Sequence, residues 1–189
     1  DLAIIIEEAR RMEGILARIR QDVRLARSPA KEKVDPAGVV HDAVARYTDL
    51  AREEGVGLAA AAEPGLPAVR GSREILLEVL DNLLRNAFDA IGAGGHVSVT
   101  ARRIKEAIHI VVEDDGPGIA PDCLERIFEP FFTTKVGGTG LGLPLSKKLV
   151  VQCGGALSAD SRQGEGSRFR IVLPVWTADE ARPRNDEGE

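Results

Sequence analysis

The sequence predicts an α+β fold, a two-layer α/β sandwich in which helices cover one face of a mixed sheet and a long bundle helix precedes both layers. Three observations predict it. A long amphipathic helical pattern lies mid-chain, segments typical of strands flank it, and a regular apolar seam opens the chain. The 189 residues, 43% of them hydrophobic, suffice for one domain with a proper core and some additional structure.

Composition and charge exclude several classes of protein. A net charge of −5 argues against general binding to the phosphate backbone of nucleic acid. No apolar run approaches the roughly 18 residues of a membrane span, and no secretion signal is present. Cys123 and Cys153 lack metal-ligand spacing and are expected to be reduced thiols of a cytoplasmic protein. Because the first residue is Asp, we expect a piece of a longer protein that could itself be membrane-anchored.

The first predicted element is a helix over residues 1–28. Its apolar residues are spaced alternately three and four apart, at Leu2, Ile5, Ala9, Met12, Leu16, Ile19, Val23 and Ala26. Such a seam favours packing in a helical bundle, commonly with a second subunit, over a surface helix folded back on its own domain. Ser28 and Pro29 end the helix, and residues 29–35 are predicted to be a polar linker.

The next predicted elements are two helices with a strand between them. The first helix runs over residues 36–54, with Gly55 just past its end, and GVGLAAAAE predicts the strand. The segment GSREILLEVLDNLLRNAFDAIGAGG predicts a long helix with Ser72 as its N-cap. Its apolar face is expected to pack on the sheet.

The remaining segments complete the predicted sheet. They are, in order, a hairpin of HVSVTARR and AIHIVVEDD joined near Lys105 and Glu106, a helix from about Leu141 to Gln152, and a strand pair of GGALSADS and SRFRIVLPV. Residues 177–189 are polar and are predicted to be a disordered tail.

The long helix carries a polar stripe. At about 100° per residue, one side collects Glu78, Asn82, Arg85, Asn86 and Asp89. A stripe of this kind is normally a solvated face, and that alternative stays open. Two asparagines four residues apart are unusual in a helix interior, because Asn forms helices poorly. Since an amide oxygen can bind a hard cation such as Mg²⁺ without adding charge, Asn82 and Asn86 are candidates for a metal site.

A carboxylate followed by two glycines marks the end of a predicted strand, at Asp114, Gly116 and Gly118. A buried carboxylate only accepts hydrogen bonds, so it suits the exocyclic amine of adenine and disfavours guanine, which has a carbonyl there. The two glycines would let the backbone pass close to the base. An ordinary Asp-Gly turn at a strand end is the alternative.

A second glycine-rich stretch precedes the next predicted helix. It consists of Gly138, Thr139, Gly140, Leu141, Gly142 and Leu143. Free backbone N–H groups at a helix N-terminus bind anions, and alternate glycines would let phosphates approach them. The stretch matches neither a Walker A loop nor a dinucleotide-binding fingerprint, and simple helix capping is the alternative.

Five segments together carry a family resemblance. They are NLLRNAFDA, DDGPGI, FEPFFTTK, GTGLGL and GEGSRF. In order and spacing they resemble the N, G1, F, G2 and G3 boxes of sensor histidine kinases, and FFTTK is similar to the nitrogen-regulation subgroup. The resemblance covers residues 1–176. It implies the Bergerat-type ATP-binding fold shared with gyrase and mismatch-repair ATPases, with residues 36–176 as the catalytic ATP-binding domain and residues 1–28 as the second helix of a dimerisation and histidine-phosphotransfer domain.

The resemblance implies roles around the phosphates of a bound ATP. Asn86 corresponds to the residue that coordinates Mg²⁺, and Asn82 to its supporting partner near the phosphates. Lys135, in the lid, is expected to reach the terminal phosphates. The second glycine-rich stretch corresponds to the phosphate-facing loop.

The resemblance also implies roles around adenine. Asp114 corresponds to the adenine-recognising carboxylate, and Gly116 and Gly118 shape that pocket. Ser167 stands where relatives often place a threonine hydroxyl near the adenine. The F-box aromatic residues, which pack the base of the lid, are Phe128, Phe131 and Phe132.

The implied reaction moves the γ-phosphoryl group of ATP to a histidine on an upstream helix outside this chain, for relay to an Asp of a response regulator receiver domain. The implied full-length protein is a homodimer. His41, His96 and His109 are interpreted as ordinary surface or packing histidines. Gyrase-like relatives activate water with a Glu where this chain has Asn82, so we expect ATP to be kept for transfer. The chain alone should bind nucleotide without phosphorylating itself.

Three other functions compete with this interpretation. A serine-directed kinase of the anti-sigma type shares the fold, but the long bundle helix argues against it. An ATP-driven clamp or hydrolase is disfavoured by Asn82. A scaffold that has lost ATP binding would show decayed boxes, and all five segments are intact here.

Overall fold

The computed structural model describes residues 32–135 and 137–177. The predicted bundle helix over residues 1–28 and the predicted tail from residue 178 onward lie outside the described residues. The elements in the described part are, in order, β1 (Glu32–Val34), α1 (Pro36–Ala45), α2 (Thr48–Glu54), β2 (Gly57–Ala62), β3 (Val69–Gly71), α3 (Arg73–Ala90), β4 (His96–Ile104), β5 (Ala107–Asp114), α4 (Pro121–Leu124), α5 (Gly142–Gln152), β6 (Ala156–Arg162) and β7 (Gly166–Pro174).

The main sheet has five strands in the order β2-β4-β5-β7-β6. β2 runs parallel to β4, and the other neighbours are antiparallel, so the predicted mixed sheet is confirmed. The hairpin of β4 and β5 turns at the predicted Lys105 and Glu106. The pairing of β5 with β7 places Asp114 directly opposite Ser167. Two residues predicted to face adenine therefore meet at one end of the sheet.

Helices cover one face of this sheet, which confirms the two-layer sandwich. Alternate residues of β5, Ile108, Ile110 and Val112, are buried in the core together with the apolar stripe of α3. The other face is polar, and Glu113 there accepts a bond of 2.6 Å from Arg168 across the strands. α3 packs between α1 and α5. This central position brings the polar stripe of α3 against the start of α5.

The long helix α3 forms as the sequence predicts. Ser72 has extended backbone angles, and its hydroxyl accepts the backbone N–H of Ile75 at 3.5 Å. The helix ends at Ala90, because Ile91 returns to an extended conformation ahead of Gly92. No described helix is long and apolar enough to pass through a membrane.

The prediction of a single helix over residues 36–54 is wrong. The structure breaks it into α1 and α2 at Arg46 and Tyr47. The Tyr47 ring packs on Phe88 with centroids 5.3 Å apart, and its hydroxyl bonds to Asp81. These tertiary contacts turn the side chain inward, and a local helical pattern does not reveal them. The predicted end at Gly55 is confirmed, with a left-handed φ of 66°.

Three short elements were not predicted. Residues 32–34, assigned to the linker, form β1, which pairs antiparallel with β3. The third is the single-turn helix α4. Segments of three or four residues carry almost no periodic signal, so only their tertiary partners reveal them.

Candidate nucleotide-binding site

A cleft of about 440 Å³ opens between α3, the ends of β5 and β7, and the start of α5. Its volume is typical of a small-molecule site. It brings together most of the predicted site residues, namely Asn82, Asn86, Asp114, Gly118, Phe132, Lys135, Gly138, Thr139, Gly140, Gly142, Leu143 and Ser167. Gly116, Phe128 and Leu141 are not among the lining residues.

Asp114 forms the deep end of the cleft. Its side chain is only 9% exposed, and its Oδ1 accepts the Gly116 N–H at 3.1 Å. Burial raises the pKa of this carboxyl, and hydrogen bonds from the backbone N–H groups of Gly116 and Ser167 partly offset the rise. A buried, oriented acceptor of this kind fits a donor such as the adenine amine.

Ser161 is a residue of this end that sequence reasoning missed. Its hydroxyl accepts the Ile119 N–H at 2.8 Å and donates to the Gly166 carbonyl at 2.7 Å. It also lies 3.1 Å from the hydroxyl of Ser167, its partner across the β6–β7 ladder. Ser161 therefore fastens the loop after Asp114 to the end of the sheet. A single serine on an alternating strand gave no signal of this contact.

The structure shows a further constraint at Gly118, besides the predicted one. Its φ is +66°, and a Cβ there would overlap the Arg162 carbonyl in the β6–β7 turn. The constraint that the structure shows is thus close packing of two loops. Room for a base beside Gly118 remains a prediction.

Asn82 occupies the other end of the cleft and does not lie on a solvated face. It is 7% exposed, and its amide donates to the Ser146 hydroxyl at 2.9 Å. Gly142, the first residue of α5, lies so close that a Cβ would overlap the Asn82 side-chain oxygen. Asn82 therefore joins α3 to the glycine-rich start of α5.

Asn86 and Lys135 meet one turn further along α3. The Lys135 ammonium donates to the Asn86 Oδ1 at 3.2 Å and to the Asp89 carboxylate at 2.7 Å. The side-chain oxygen of Asn86 thus points into the cleft region that Lys135 occupies. Within residues 32–135 and 137–177, no cluster of three or more His, Cys, Asp or Glu side chains could hold a metal. A single amide ligand fits Mg²⁺, which retains waters and shares phosphate ligands.

The aromatic residues of the F box lie below and beside the cleft. Phe128 and Phe132 pack against the core, with Lys147 over the Phe128 ring at 4.7 Å and Arg126 over the Phe132 ring at 4.3 Å. Phe131 is 75% exposed, and its backbone N–H donates to the Gly140 carbonyl at 2.9 Å. We define the lid as residues 133–140. The bond joins Phe131, two residues before the lid, to Gly140, its last residue.

The three histidines lie away from the cleft. His41 is exposed on α1, and His96 at the start of β4 bonds to Asp115. His109 lies on the polar face of the sheet, where burial and the charges of Arg170 and Arg102 lower its pKa. None of the three is among the residues that line the cleft.

Comparisons with known proteins agree with this geometry. The model of the family described as "Histidine kinase-, DNA gyrase B-, and HSP90-like ATPase" matches residues 71–177. The chain belongs to this family. It is 36% identical over 172 residues to the sensor histidine kinase ZraS of Escherichia coli K12, covering 91% of this chain and 37% of that protein. The predicted family is therefore confirmed.

Two solved structures are similar over most of the described chain. The catalytic domain of histidine kinase ThkA has a TM-score of 0.70 at 27% identity and covers 77% of this chain and 95% of that one. Full-length ShkA in complex with AMPPNP has a TM-score of 0.74 at 33% identity and covers 83% and 34%. These neighbours confirm the predicted ATP-binding fold. The chain spans only about a third of ZraS and of ShkA.

Proposed function

We propose that this chain is the part of a sensor histidine kinase that binds Mg-ATP and presents the γ-phosphoryl group to a histidine. One observation supports this above all. The cleft has a buried acceptor, Asp114, at one end, and at the other Asn82 lies against the glycine-rich start of α5 with Asn86 one turn away. That polarity matches a ligand with an amine-bearing base at one end and phosphates at the other.

Adenine is proposed to lie against Asp114. The carboxylate accepts the exocyclic amine, and Ser167, opposite it on β7, offers a hydroxyl. Guanine would bring a carbonyl to Asp114 and leave two acceptors facing each other in a buried place, which is costly. The site is therefore expected to select adenine nucleotides.

The phosphates are proposed to lie between Asn82, Asn86 and the start of α5. Asn86 would hold Mg²⁺, which neutralises charge on the phosphates when bound. Lys135 would exchange its present partners, Asp89 and Asn86, for the terminal phosphates. Closing of the lid would accompany that exchange.

The cleft is arranged to retain ATP rather than to hydrolyse it. The Asn82 amide cannot take a proton from water. The carboxylates among the lining residues are Asp89, which pairs with Lys135, and Asp114 at the adenine end. Asp114 is proposed to hold the base, and Asp89 stands one residue before Ala90, whose carbonyl lies beside the adenine loop at Gly116. Both carboxylates are therefore proposed to lie toward the adenine end of the cleft, away from Asn82. A neutral imidazole needs little such help, because it is already nucleophilic near neutral pH.

The acceptor and the partners are proposed to lie outside the described residues. A phosphotransfer helix upstream of this chain would supply the histidine, the full-length protein would be a homodimer, and an Asp of a receiver domain would accept the phosphoryl group next. A solved structure that shares the fold is a complex of ThkA with response regulator protein TrrA. Because ATP is a cytoplasmic substrate, a cytoplasmic location of this domain belongs to the same proposal.

Calorimetric titration tests the proposal. Mg-ATP should bind saturably, without a continuing heat of hydrolysis, and Asn86→Ala and Asp114→Ala should each abolish measurable binding. A separately produced upstream phosphotransfer hairpin should then accept label from γ-labelled ATP as an acid-labile, base-stable adduct. Absence of binding would support the scaffold alternative, steady hydrolysis would contradict the role of Asn82, and an acid-stable adduct would indicate a serine-directed kinase.

A further inference from the structure

Arg85 is a cation of the cleft to which no motif assigns a role. Among the lining residues that the structure describes, the cations are Arg85 and Lys135. Lys135 faces Asp89, a carboxylate of the cleft itself. Arg85 instead pairs with Asp81, which does not line the cleft, and half of its side chain remains exposed.

The position of Arg85 along α3 places it at the phosphate end. Ala90, at the C-terminal end of α3, lies beside the adenine loop, since a Cβ on Gly116 would be 3.4 Å from its carbonyl oxygen. Arg85 lies five residues earlier, about 7.5 Å along the helix axis. Asn82 and Asn86 flank it on the same stripe. A guanidinium here is within the region proposed for the terminal phosphates.

A chain of contacts from the buried Tyr47 through the half-buried Asp81 sets the direction of Arg85. Its Nη2 donates to Asp81 Oδ2 at 2.8 Å. The single proton of the Tyr47 hydroxyl is shared between Asp81 Oδ1 and the Asp81 carbonyl, each 3.0 Å away. Tyr47 is 8% exposed and stacks on Phe88. An ordinary surface pair at this helix spacing is free to move, but here the buried Tyr47 also contacts the Asp81 carboxylate through Oδ1. The guanidinium has five donors, so the bond to Asp81 leaves others for a ligand.

We propose that Arg85 binds the terminal phosphates of the nucleotide, and that Asp81 and Tyr47 are positioning residues that fix its direction. The inference rests on the proposed nucleotide binding. Fixing the arginine in advance removes the entropy cost of ordering it when the ligand arrives. The planar guanidinium can also donate to two phosphate oxygens at once, whereas a lysine ammonium acts as a single point charge.

The test compares affinities for Mg-AMPPNP and Mg-ADP by calorimetry. Arg85→Ala should weaken binding of the triphosphate roughly tenfold or more, and of the diphosphate less, because a charge-assisted bond to the terminal phosphate is lost. Tyr47→Phe should lower the ratio of the affinity for Mg-AMPPNP to the affinity for Mg-ADP several-fold. In the double variant that carries Arg85→Ala and Tyr47→Phe, this ratio should equal that of Arg85→Ala alone. Arg52→Ala removes an exposed arginine that pairs with Asp49 on α2, and it should leave both affinities unchanged.

Each outcome decides between this inference and the proposed function. If the unmutated chain binds neither nucleotide, both fail together. Normal binding with an unchanged ratio in Arg85→Ala overturns the inference alone. Should Tyr47→Phe weaken both nucleotides equally, the tyrosine is structural and the positioning role is wrong. Asp81→Asn keeps the side-chain shape and should therefore fold normally. It should lower the ratio of triphosphate to diphosphate affinity as Tyr47→Phe does.

Discussion

At the scale of single residues, burial distinguishes the polar side chains of the cleft that are held in a fixed direction. Asp114 and Asn82 are both buried, and each is held by partners that leave a defined donor or acceptor toward the cleft. Burying a polar group without a partner costs several kcal/mol, roughly 2–7 by transfer scales. The chain avoids that cost through backbone N–H groups at Asp114 and through Ser146 at Asn82. The same contacts determine the geometry offered to a ligand.

Tyr47 is expected to ionise at unusually high pH. Burial and then the Asp81 charge raise its pKa to about 12. Because the chain has one tyrosine, phenolate absorbance near 295 nm reports this residue alone. The folded chain should titrate well above the denatured chain, whose midpoint is about 10, and Asp81→Asn should lower the folded midpoint. The stability from this shift is present below about pH 10 and is lost as pH rises through about 12.

Circular dichroism must show that the chain is still folded across that titration. A folded midpoint equal to that of the denatured chain would mean that the Tyr47–Asp81 contact does not form in solution.

Asp114 is expected to cost stability at neutral pH. Burial raises its folded-state pKa above the unfolded value of about 3.9. The contribution of the neutral Asp114 carboxyl to the free energy of unfolding is therefore fully present below about pH 3.9. It is lost as pH rises through the folded-state pKa. Asp114→Asn should thus unfold at higher urea concentration than the unmutated chain at pH 7, and this difference should vanish toward pH 3.

The neighbouring Asp115 offers a control of opposite sign. A hydrogen bond from the backbone N–H of His96 lowers the pKa of Asp115. The contribution of the ionised Asp115 carboxylate to the free energy of unfolding is therefore present above the unfolded pKa and is lost as pH falls through the folded-state pKa. Asp115→Asn should therefore be less stable than the unmutated chain at pH 7. Equal effects of the two substitutions would contradict this account of the site.

At the scale of elements, the contact between α3 and the start of α5 joins the two halves of the proposed phosphate site. Gly142 begins α5 against Asn82, whose amide reaches on to Ser146 one turn later in the same helix. Because α3 rests on the sheet through its apolar stripe, it supplies a rigid side for this contact. Gly140, the last residue of the lid, stands two residues before Gly142, and its carbonyl accepts the bond from the Phe131 N–H.

Gly142→Ala should damage this contact. The added methyl group would overlap the Asn82 side chain and force it away from Ser146, at a cost of about 1–3 kcal/mol. We expect a lower urea midpoint and weaker Mg-AMPPNP binding. Gly92→Ala is the matched control, because a Cβ there meets nothing within 4 Å. Similar losses in both variants would show that backbone freedom, rather than the Asn82 contact, is what matters.

At the scale of the whole molecule, one core supports both ends of the cleft. The helices α1, α3 and α5 share a continuous apolar cluster with β4, β5 and β7. Asp114 ends β5 and Ser167 lies opposite it at the start of β7, and both strands belong to this core. Asn82 and Asn86 lie on the helix that covers it. Ligand binding at the cleft should therefore raise the free energy of unfolding of the whole domain.

Nucleotide is expected to stabilise the folded chain as a unit. At a concentration 100 times its Kd, Mg-AMPPNP should add about 2.7 kcal/mol. For a domain of this size, that raises Tm by roughly 5–10 °C. Asn86→Ala should melt close to the unmutated chain without ligand but show little rise with it. A rise of equal size in Asn86→Ala would mean that the nucleotide binds elsewhere.

The sequence by itself determined the fold class, the family and most of the cleft. The long helix, the hairpin and the closing strand pair depend on local periodicity and turn residues, which a single sequence displays. The five boxes are short and occur in a fixed order, so the family resemblance that they carry suffices to predict Asp114, Asn86 and the glycine-rich stretch as parts of one site. The structure places Asp114, Asn86 and most of that stretch in the cleft.

Only the tertiary structure decided the contacts between distant segments. Tyr47 meets Asp81 from 34 residues away, and Ile119 meets Ser161 from 42. Neither pair has a periodic signature, since packing of whole elements brings the side chains together. The break between α1 and α2, the pairing of β1 with β3 and the burial of Asn82 arise in the same way. Local patterns specify elements, whereas the orientation of a polar side chain depends on what the completed core places beside it.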